Sequence, residues 1–352
     1  MDVDLPYELQ LVTDLRGHEE RAWQIAWNPV EPLLASCSAD KSVRLYNYQP
    51  SNESLKFSHI HSIPTGHTKT VRSLAWSPSG KTLATGSFDS NVGIWEREGG
   101  HDGDEEAADW ECMTLLEGHE TECKSVAYSS SGTLLASCSR DKTVWVWEVH
   151  PDSDFECMGV LMEHTQDVKC VAWHPSEEIL ASASYDDTIK LYIDDPSEDW
   201  FCFSTLTGHK STVWALAWSP KGSYLASSSD DLTIKIWKRV AEHKWECALE
   251  LKGHERSIYS ISWGKGKTGE ESLGWLASTG GDGKINVWDI REPPESSTGR
   301  VLSHKLIATL SSAHDVSDVN SISWCPREGF EDLLATAGDD GSVRVWKVVP
   351  SH

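Results

Sequence analysis

Apolar and polar positions along this chain fall into short runs rather than long helical stripes. Segments rich in Val, Ile, Leu, Trp and Thr, such as Thr143-Val-Trp-Val-Trp147 and Thr233-Ile-Lys-Ile-Trp237, alternate with Asp-Lys, Asp-Asp and Pro-Ser-Gly tracts. β-branched and aromatic side chains fit a pleated, half-buried surface, while Asp, Gly, Pro and Ser supply turn chemistry. The pattern therefore predicts many short strands joined by tight turns, an all-β chain.

The runs repeat. Seven times a histidine, a short strand ending in an aromatic, a Leu-Ala-Ser-like strand, an Asp and a closing aromatic follow one another. The histidines are His18, His67, His119, His164, His209, His254 and His314; the closing aromatics are Tyr46, Trp95, Trp147, Tyr192, Trp237, Trp288 and Trp346. Asp40, Asp89, Asp141, Asp186, Asp231, Asp282 and Asp340 each lie six residues before their aromatic. Four residues before each Asp stands a hydroxyl: Ser36, Thr85, Ser137, Ser182, Ser227, Ser278 or Thr336. Four residue types held in register seven times mark a repeat architecture.

This register resembles the WD-repeat family across essentially the whole chain. The resemblance implies a seven-bladed WD-repeat β-propeller of four-stranded sheets, one unit over residues 1–352. It further implies that Trp, Ser or Thr, His and Asp form a buried hydrogen-bonded chain in each blade, so seven His and seven Asp read as architecture and not as a catalytic set. Tyr46 and Tyr192 keep an O–H donor but shorten its reach, so their blades are the ones expected to depart. The segment Tyr7 to Leu15 precedes the first Gly-His where a fourth strand belongs, and the last repeat lacks one. The expectation is a ring closed by the N-terminal strand in the last blade, which removes two open sheet edges.

Charge narrows the partners. The 352 residues carry 31 Lys and Arg against 55 Asp and Glu, a formal −24 at pH 7. Such a balance disfavours duplex nucleic acid, whose affinity rests on Lys and Arg at phosphates, and disfavours anionic membranes. Met1 to Gln10 holds Asp2, Asp4 and Glu8 without an apolar segment, which reads as no secretory signal; no run of 18 apolar residues occurs, so no transmembrane helix is expected. A soluble intracellular protein is the expectation.

Nine cysteines suit a reducing compartment. Cys112, Cys157, Cys202 and Cys247 are spaced by 45 residues each, one equivalent position in four successive blades, too far apart to share a metal at about 2.3 Å per bond. Cys37 and Cys138 form another repeat pair. Buried or half-buried strand cysteines are expected, with no metal, cluster or other cofactor held by the chain. Gly264-Lys-Gly-Lys-Thr-Gly269 lacks the spacing and strand-to-helix context of a P-loop and reads as a basic exposed turn. Arg97 to Asp109 reads as a solvated acidic insertion; Gly264 to Gly274, Arg291 to Arg300 and Arg327 to Asp332 read as loops. No nucleophile elbow or His-Glu-x-x-His motif occurs, so no enzyme is expected.

Two rows of positions converge on one face. Five residues after each histidine, six in the last copy, stand Trp23, Arg72, Lys124, Lys169, Trp214, Tyr259 and Asn320. Immediately before each turn Asp stand Ala39, Phe88, Arg140, Tyr185, Asp230, Gly281 and Asp339. Trp, Tyr and Arg dominate binding hot spots. Candidate partner-binding residues are therefore Arg140, Trp23, Arg72, Phe88, Lys124, Lys169, Tyr185, Trp214, Asp230 and Tyr259, with Arg72, Lys124, Arg140 and Lys169 as a positive arc over blades two to four.

Ser137-Cys-Ser-Arg-Asp-Lys-Thr-Val-Trp-Val-Trp-Glu148, Glu163-His-Thr-Gln-Asp-Val-Lys169, Ala181-Ser-Ala-Ser-Tyr-Asp-Asp-Thr-Ile-Lys-Leu-Tyr192, Asp199-Trp-Phe-Cys202 and Thr212-Val-Trp214 go beyond the generic repeat. They resemble the WD-repeat subunits of the cytosolic iron-sulfur protein assembly machinery. The resemblance implies a non-catalytic scaffold of a targeting complex in cytoplasm and nucleus. Implied partners are a small acidic targeting subunit, a HEAT-repeat adaptor, an iron-only-hydrogenase-like cluster carrier and apoprotein clients. Arg140 matches the family's exposed functional arginine at Ser-Arg-Asp-Lys. The competing expectation is another interaction module on the same face, a ubiquitin-ligase substrate receptor or a reader of basic chromatin peptides.

Overall fold

The computed structural model describes residues 5–50, 55–97, 110–151, 154–195, 199–267, 269, 272–293 and 301–351. Most of the acidic insertion and part of the loops after Gly264 and Arg291 lie outside the described residues.

Among the described residues, twenty-eight antiparallel strands form seven four-stranded sheets, the blades of a β-propeller. Blades 1 to 6 draw their strands in chain order from 22–64, 71–116, 123–161, 168–206, 213–252 and 258–310. Blade 7 takes three strands from 319–350, and its outer strand is Tyr7–Leu15, which pairs antiparallel with Val343–Pro350. Chain start and chain end thus close the ring together. No helix of the described residues is long and apolar enough to cross a membrane.

Twelve of the eighteen tryptophans do three jobs. On the inner strands, Trp27, Trp76, Trp173 and Trp218 donate their indole N–H to a carbonyl of the preceding blade, at Ser323, Ala26, Ala127 and Ala172. On the third strands, Trp95, Trp147, Trp237, Trp288 and Trp346 close the blade networks described below. Outer-strand Trp110, Trp200 and Trp245 meet Trp76, Trp173 and Trp218 edge-on, with ring centres 5.5–5.6 Å apart, a favoured aromatic geometry.

The histidine network forms as the repeat implies. In blade 2, Trp95 Nε1–H donates to Thr85 Oγ1 at 2.9 Å, and His67 joins Thr85 at 3.0 Å through Nε2 and Asp89 at 3.0 Å through Nδ1. The same arrangement holds in blades 3, 5, 6 and 7. The tyrosine blades depart: Ser182 reaches Tyr192 only at 3.4 Å, and the buried Tyr46 hydroxyl has no hydrogen-bond partner among the described residues. Burial would raise the turn carboxyls, but hydrogen bonds from the histidine and from hydroxyls and backbone N–H groups outweigh it. Asp40, Asp89, Asp141, Asp186, Asp231 and Asp340 all lie well below the ordinary carboxylate range.

Loops on the opposite face latch neighbouring blades. Asn28 donates from Nδ2 to the Gly80 carbonyl at 2.8 Å and accepts from the N–H groups of Val30 and Glu31. His174 reproduces this between blades 4 and 5: Nε2–H donates to Gly222 O at 3.0 Å while Nδ1 accepts from Ser176 and Glu177. Both glycines need their identity, since φ is +72° at Gly80 and +77° at Gly222, and a Cβ there would strike the latching side chain.

The cysteines correct one expectation. Cys37, Cys123, Cys138 and Cys325 are buried, and burial pushes the Cys37 and Cys123 thiols up to about 12. Cys112, Cys157 and Cys247, however, are exposed, not buried or half-buried. They lie on outer strands directly opposite Trp95, Trp147 and Trp237, beside a one-residue bulge, and no further strand covers them. Lys267, in the basic turn, reaches Asp332 at 2.7 Å.

Candidate functional site

One face of the ring carries a funnel of about 250 Å³ at the mouth of the central channel. The local reason is a bulge repeated in every blade. Where the first strand pairs with the second, Cys123 opposes Ser139 and Ser125 opposes Cys138, leaving Lys124 as the extra residue. Trp23, Arg72, Lys169, Trp214, Tyr259 and Asn320 are extra in the same way. A bulge bends its strand and re-aims a side chain, and all seven of these residues line the channel. In six blades the following residue lines it too. Residues at this following position stitch blade to blade: Gln24, Ser73, Ser125 and Ser260 each accept a backbone N–H from the next blade, at Leu74, Val126, Val171 and Ile322.

The second row is fixed to the first by backbone bonds. The N–H of the residue before each turn Asp donates to a carbonyl two residues ahead of the bulge: Ala39 to Arg21, Phe88 to Thr70, Arg140 to Glu122, Tyr185 to Asp167, Asp230 to Thr212, Gly281 to Ser257 and Asp339 to Asp318. Those acceptors form a third row, outside the two read from the sequence. Arg21 and Asp318 line the funnel, and Glu122 and Asp167 neutralise its lysines. Their signal was the two-residue strand period, which places positions i and i+2 on one face.

Contacts run almost unbroken around the mouth. The Arg72 guanidinium lies 4.7 Å from the Trp23 ring centre, and Trp23 lies 6.5 Å from Phe88. Lys124 Nζ sits 4.1 Å from the Phe88 ring and is gripped by Glu122. Lys169 contacts the rings of Tyr185 and Trp214 at 5.4 and 5.2 Å and pairs with Asp167 at 3.3 Å. Trp214 donates to Asp230 at 2.6 Å and meets Tyr259 edge-on. Tyr259 reaches Asp318 at 3.5 Å, Asn320 donates to Asp339 at 2.8 Å, and Arg21 lies 3.6 Å from Asp339 and 5.3 Å from the Trp23 ring. The Trp23 indole N–H is buried with no hydrogen-bond partner among the described residues.

Of the ten candidate residues, Trp23, Arg72, Phe88, Lys124, Lys169, Trp214 and Tyr259 line the funnel. Tyr185 and Asp230 stand one step out, in contact with Lys169 and Trp214. Arg140 stands further out. Its side chain is 59% exposed and faces Glu122 at 3.6 Å, so it touches the funnel only through the carboxylate that holds Lys124. The positive arc is therefore partly neutralised, and Arg72 is its member without a carboxylate among the described residues. Burial lowers the pKa of Arg72. Lys124 is also lowered by burial, against its bond to Glu122 and reinforced by repulsion from Lys169 and Arg72. Such a surface can bind by aromatic packing, cation–π contact and charge-assisted hydrogen bonds.

Away from the funnel, Glu148, His150 and Glu156 bring one ligand-type atom each within 4.8 Å of the others on blade 3. The group is half-exposed to exposed, an ordinary surface arrangement.

A family model for the WD domain, G-beta repeat matches residues 9–47, 57–96, 110–148, 155–192, 200–238, 245–289 and 304–347. The chain is 43% identical, over 97% of its length and 99% of the relative's, to a protein of Cryptococcus neoformans named probable cytosolic iron-sulfur protein assembly protein 1. A protein of Mycosarcoma maydis with the same name is 46% identical over 41% of this chain and 39% of its own. A Schizosaccharomyces japonicus protein named probable cytosolic Fe-S cluster assembly factor is 41% identical over 38% of this chain and 20% of its own.

Proposed function

Because the chain belongs to the WD40-repeat family of cytosolic iron-sulfur protein assembly proteins, we propose that it is a non-catalytic scaffold in the insertion of iron-sulfur clusters into cytosolic and nuclear apoproteins. The observation that carries this reading is the match along nearly the whole chain to a relative bearing that name. The funnel adds a physical rationale: its lining is rich in the aromatic and cationic side chains that anchor protein partners. In this role the cluster is cargo, handed between partner proteins brought together on the propeller. The partners are a small acidic targeting subunit, a HEAT-repeat adaptor, an iron-only-hydrogenase-like carrier and client apoproteins.

Arg140 belongs to the docking surface in this reading. Exposed, and only 3.6 Å from one carboxylate, it keeps donors for a forked bond to an acidic partner segment. The Arg140→Glu protein is expected to lose capture of the purified assembly partners in a pull-down while its melting curve stays unchanged. Early melting would instead make Arg140 a structural residue. Mass spectrometry of proteins co-purifying with the wild-type chain tests the wider reading: assembly factors and iron-sulfur apoproteins support it, whereas cullin adaptors or histones overturn it.

A further inference from the structure

The charges lining the funnel do not cancel evenly. Arg21 faces Asp339, Lys124 is held by Glu122 and Lys169 by Asp167. Among the described residues, two lining charges have no ion-pair partner. One is Arg72 on blade 2, whose guanidinium contacts the face of Trp23. The other is Asp318 at the entry to blade 7, which has one long contact from the Tyr259 hydroxyl at 3.5 Å and so retains acceptor capacity. They belong to the two blades that flank blade 1, with Trp23 between them. Each is half-buried, where a charge left unpaired is costly. A small anion drawn to Arg72 would also feel the carboxylates of Asp318 and Asp339, and a simple cation drawn to Asp318 would feel Arg72. A ligand carrying both signs in the right order satisfies the two together.

Resting on the reading of the funnel as a partner site, we propose that it takes a dipolar peptide segment of the partner. An acidic side chain pairs with Arg72, and a basic side chain nearby in the same segment pairs with Asp318. The order of the two charges then sets the direction in which the segment crosses blades 2, 1 and 7. A reversed segment brings carboxylate to Asp318 and cation to Arg72, so the wrong orientation is repelled as the right one is attracted.

The test is selection of phage-displayed random dodecapeptides on the full-length chain, followed by fluorescence anisotropy with the enriched peptide made synthetically. Enriched peptides are expected to carry an acid and a base in one fixed order. Replacing the peptide's acid by its amide should weaken binding at least tenfold to the wild-type chain and less than twofold to Arg72→Gln. Replacing its base by Gln should weaken binding several-fold to wild type and leave binding to Asp318→Asn nearly unchanged, the pattern of a direct pair in a double-mutant cycle. Indifference to the peptide's base, or equal binding of the reversed sequence, overturns the dipolar inference while leaving the funnel as a partner site. Equal binding to Arg72→Gln, Lys169→Gln and wild type, or no enrichment over an unrelated acidic propeller, removes the funnel itself. Should Arg72→Gln melt early, the Asp318→Asn arm decides, because Asp318 holds no ion pair among the described residues.

Discussion

At the scale of single residues, the seven repeats are not equivalent, and the differences follow from where each ring carries its donor. A Trp on the third strand carries its N–H on the side of the ring, where it meets the blade hydroxyl, as Trp237 does at 2.9 Å from Ser227. A Tyr at the same place carries its donor at the far end of the ring. Ser36 still bonds His18 at 2.8 Å, so the network beneath Tyr46 survives without it. A buried polar group that makes no bond costs about 1–3 kcal/mol of desolvation. Tyr46→Phe should therefore be neutral or stabilising by up to about 1 kcal/mol. Trp237→Phe removes a made bond and leaves space behind, and should cost about 2–4 kcal/mol. Guanidinium chloride denaturation of the two proteins checks the contrast; a loss at Tyr46→Phe as large as that at Trp237→Phe would show that the hydroxyl has a partner after all.

At the scale of elements, the turns and latches carry the stresses. The residue after each turn Asp adopts a left-handed conformation, at Lys41, Ser90, Lys142, Asp187, Leu232, Gly283 and Gly341. Blades 6 and 7 use Gly, whereas blade 5 places Leu232 there with φ +67° and a partly exposed side chain. A left-handed L-residue costs roughly 1–2 kcal/mol, and glycine returns about 0.5–1 of that through its unfolded-state entropy. Leu232→Gly should stabilise by about 0.5–1 kcal/mol, read as a shift in denaturation midpoint. The latch at His174 makes a pH prediction. Burial lowers its pKa, with Glu177 and the Gly222 carbonyl opposing and Arg239 assisting. The folded state then binds fewer protons than the unfolded one. Its stabilising contribution is complete above the ordinary histidine value of about 6.5 and is lost as pH falls below it. Since Asn28 fills the same role with an amide, His174→Asn should fold and should lose this part of the acid sensitivity in stability-versus-pH curves. The anchors made the seven blades legible in the sequence, because each is a fixed residue type with a fixed bond to make. Trp23 through Asn320 were legible as a row because they stand at a fixed distance from an anchoring histidine. Arg21, Glu122, Asp167 and Asp318 were not, because their places beside that row depend on strand period and bulge together and their residue types do not repeat. The same gap hid the neutralisation of Lys124 and Lys169, and the exposure of Cys112, which turns on an outer edge that a residue type does not announce.

At the scale of the whole molecule, closure is the decisive event, because a strand from the start of the chain pairs into the blade built from its last strands, beside the bond from Trp27 to Ser323 across the same seam. Tyr7–Leu15 runs beside Val343–Pro350 from Tyr7 opposite Pro350 to Leu15 opposite Val343, with one bulge near Leu11. Its apolar side chains reach both ways around the ring. Leu9 joins the cluster of Trp275, Ile322 and Trp346 between blades 6 and 7, and Leu15 joins that of Trp27, Tyr48 and Val343 between blades 7 and 1. Tyr7 also meets Trp275 edge-on at 5.2 Å. Removing residues 1–15 strips these side chains, each worth about 1.5–3 kcal/mol when fully buried, and leaves Val343–Pro350 as an open edge. The loss is shared by blades 6, 7 and 1, so it should lower one cooperative transition and not shave off a separate early one. Denaturation followed at once by tryptophan fluorescence and far-ultraviolet circular dichroism should show coincident curves moved to lower denaturant, by at least about 3 kcal/mol. A truncated chain that unfolds at the wild-type midpoint would mean that the ring does not depend on the strand that closes it. Association of truncated chains at raised concentration would fit the exposed edge seeking a substitute strand.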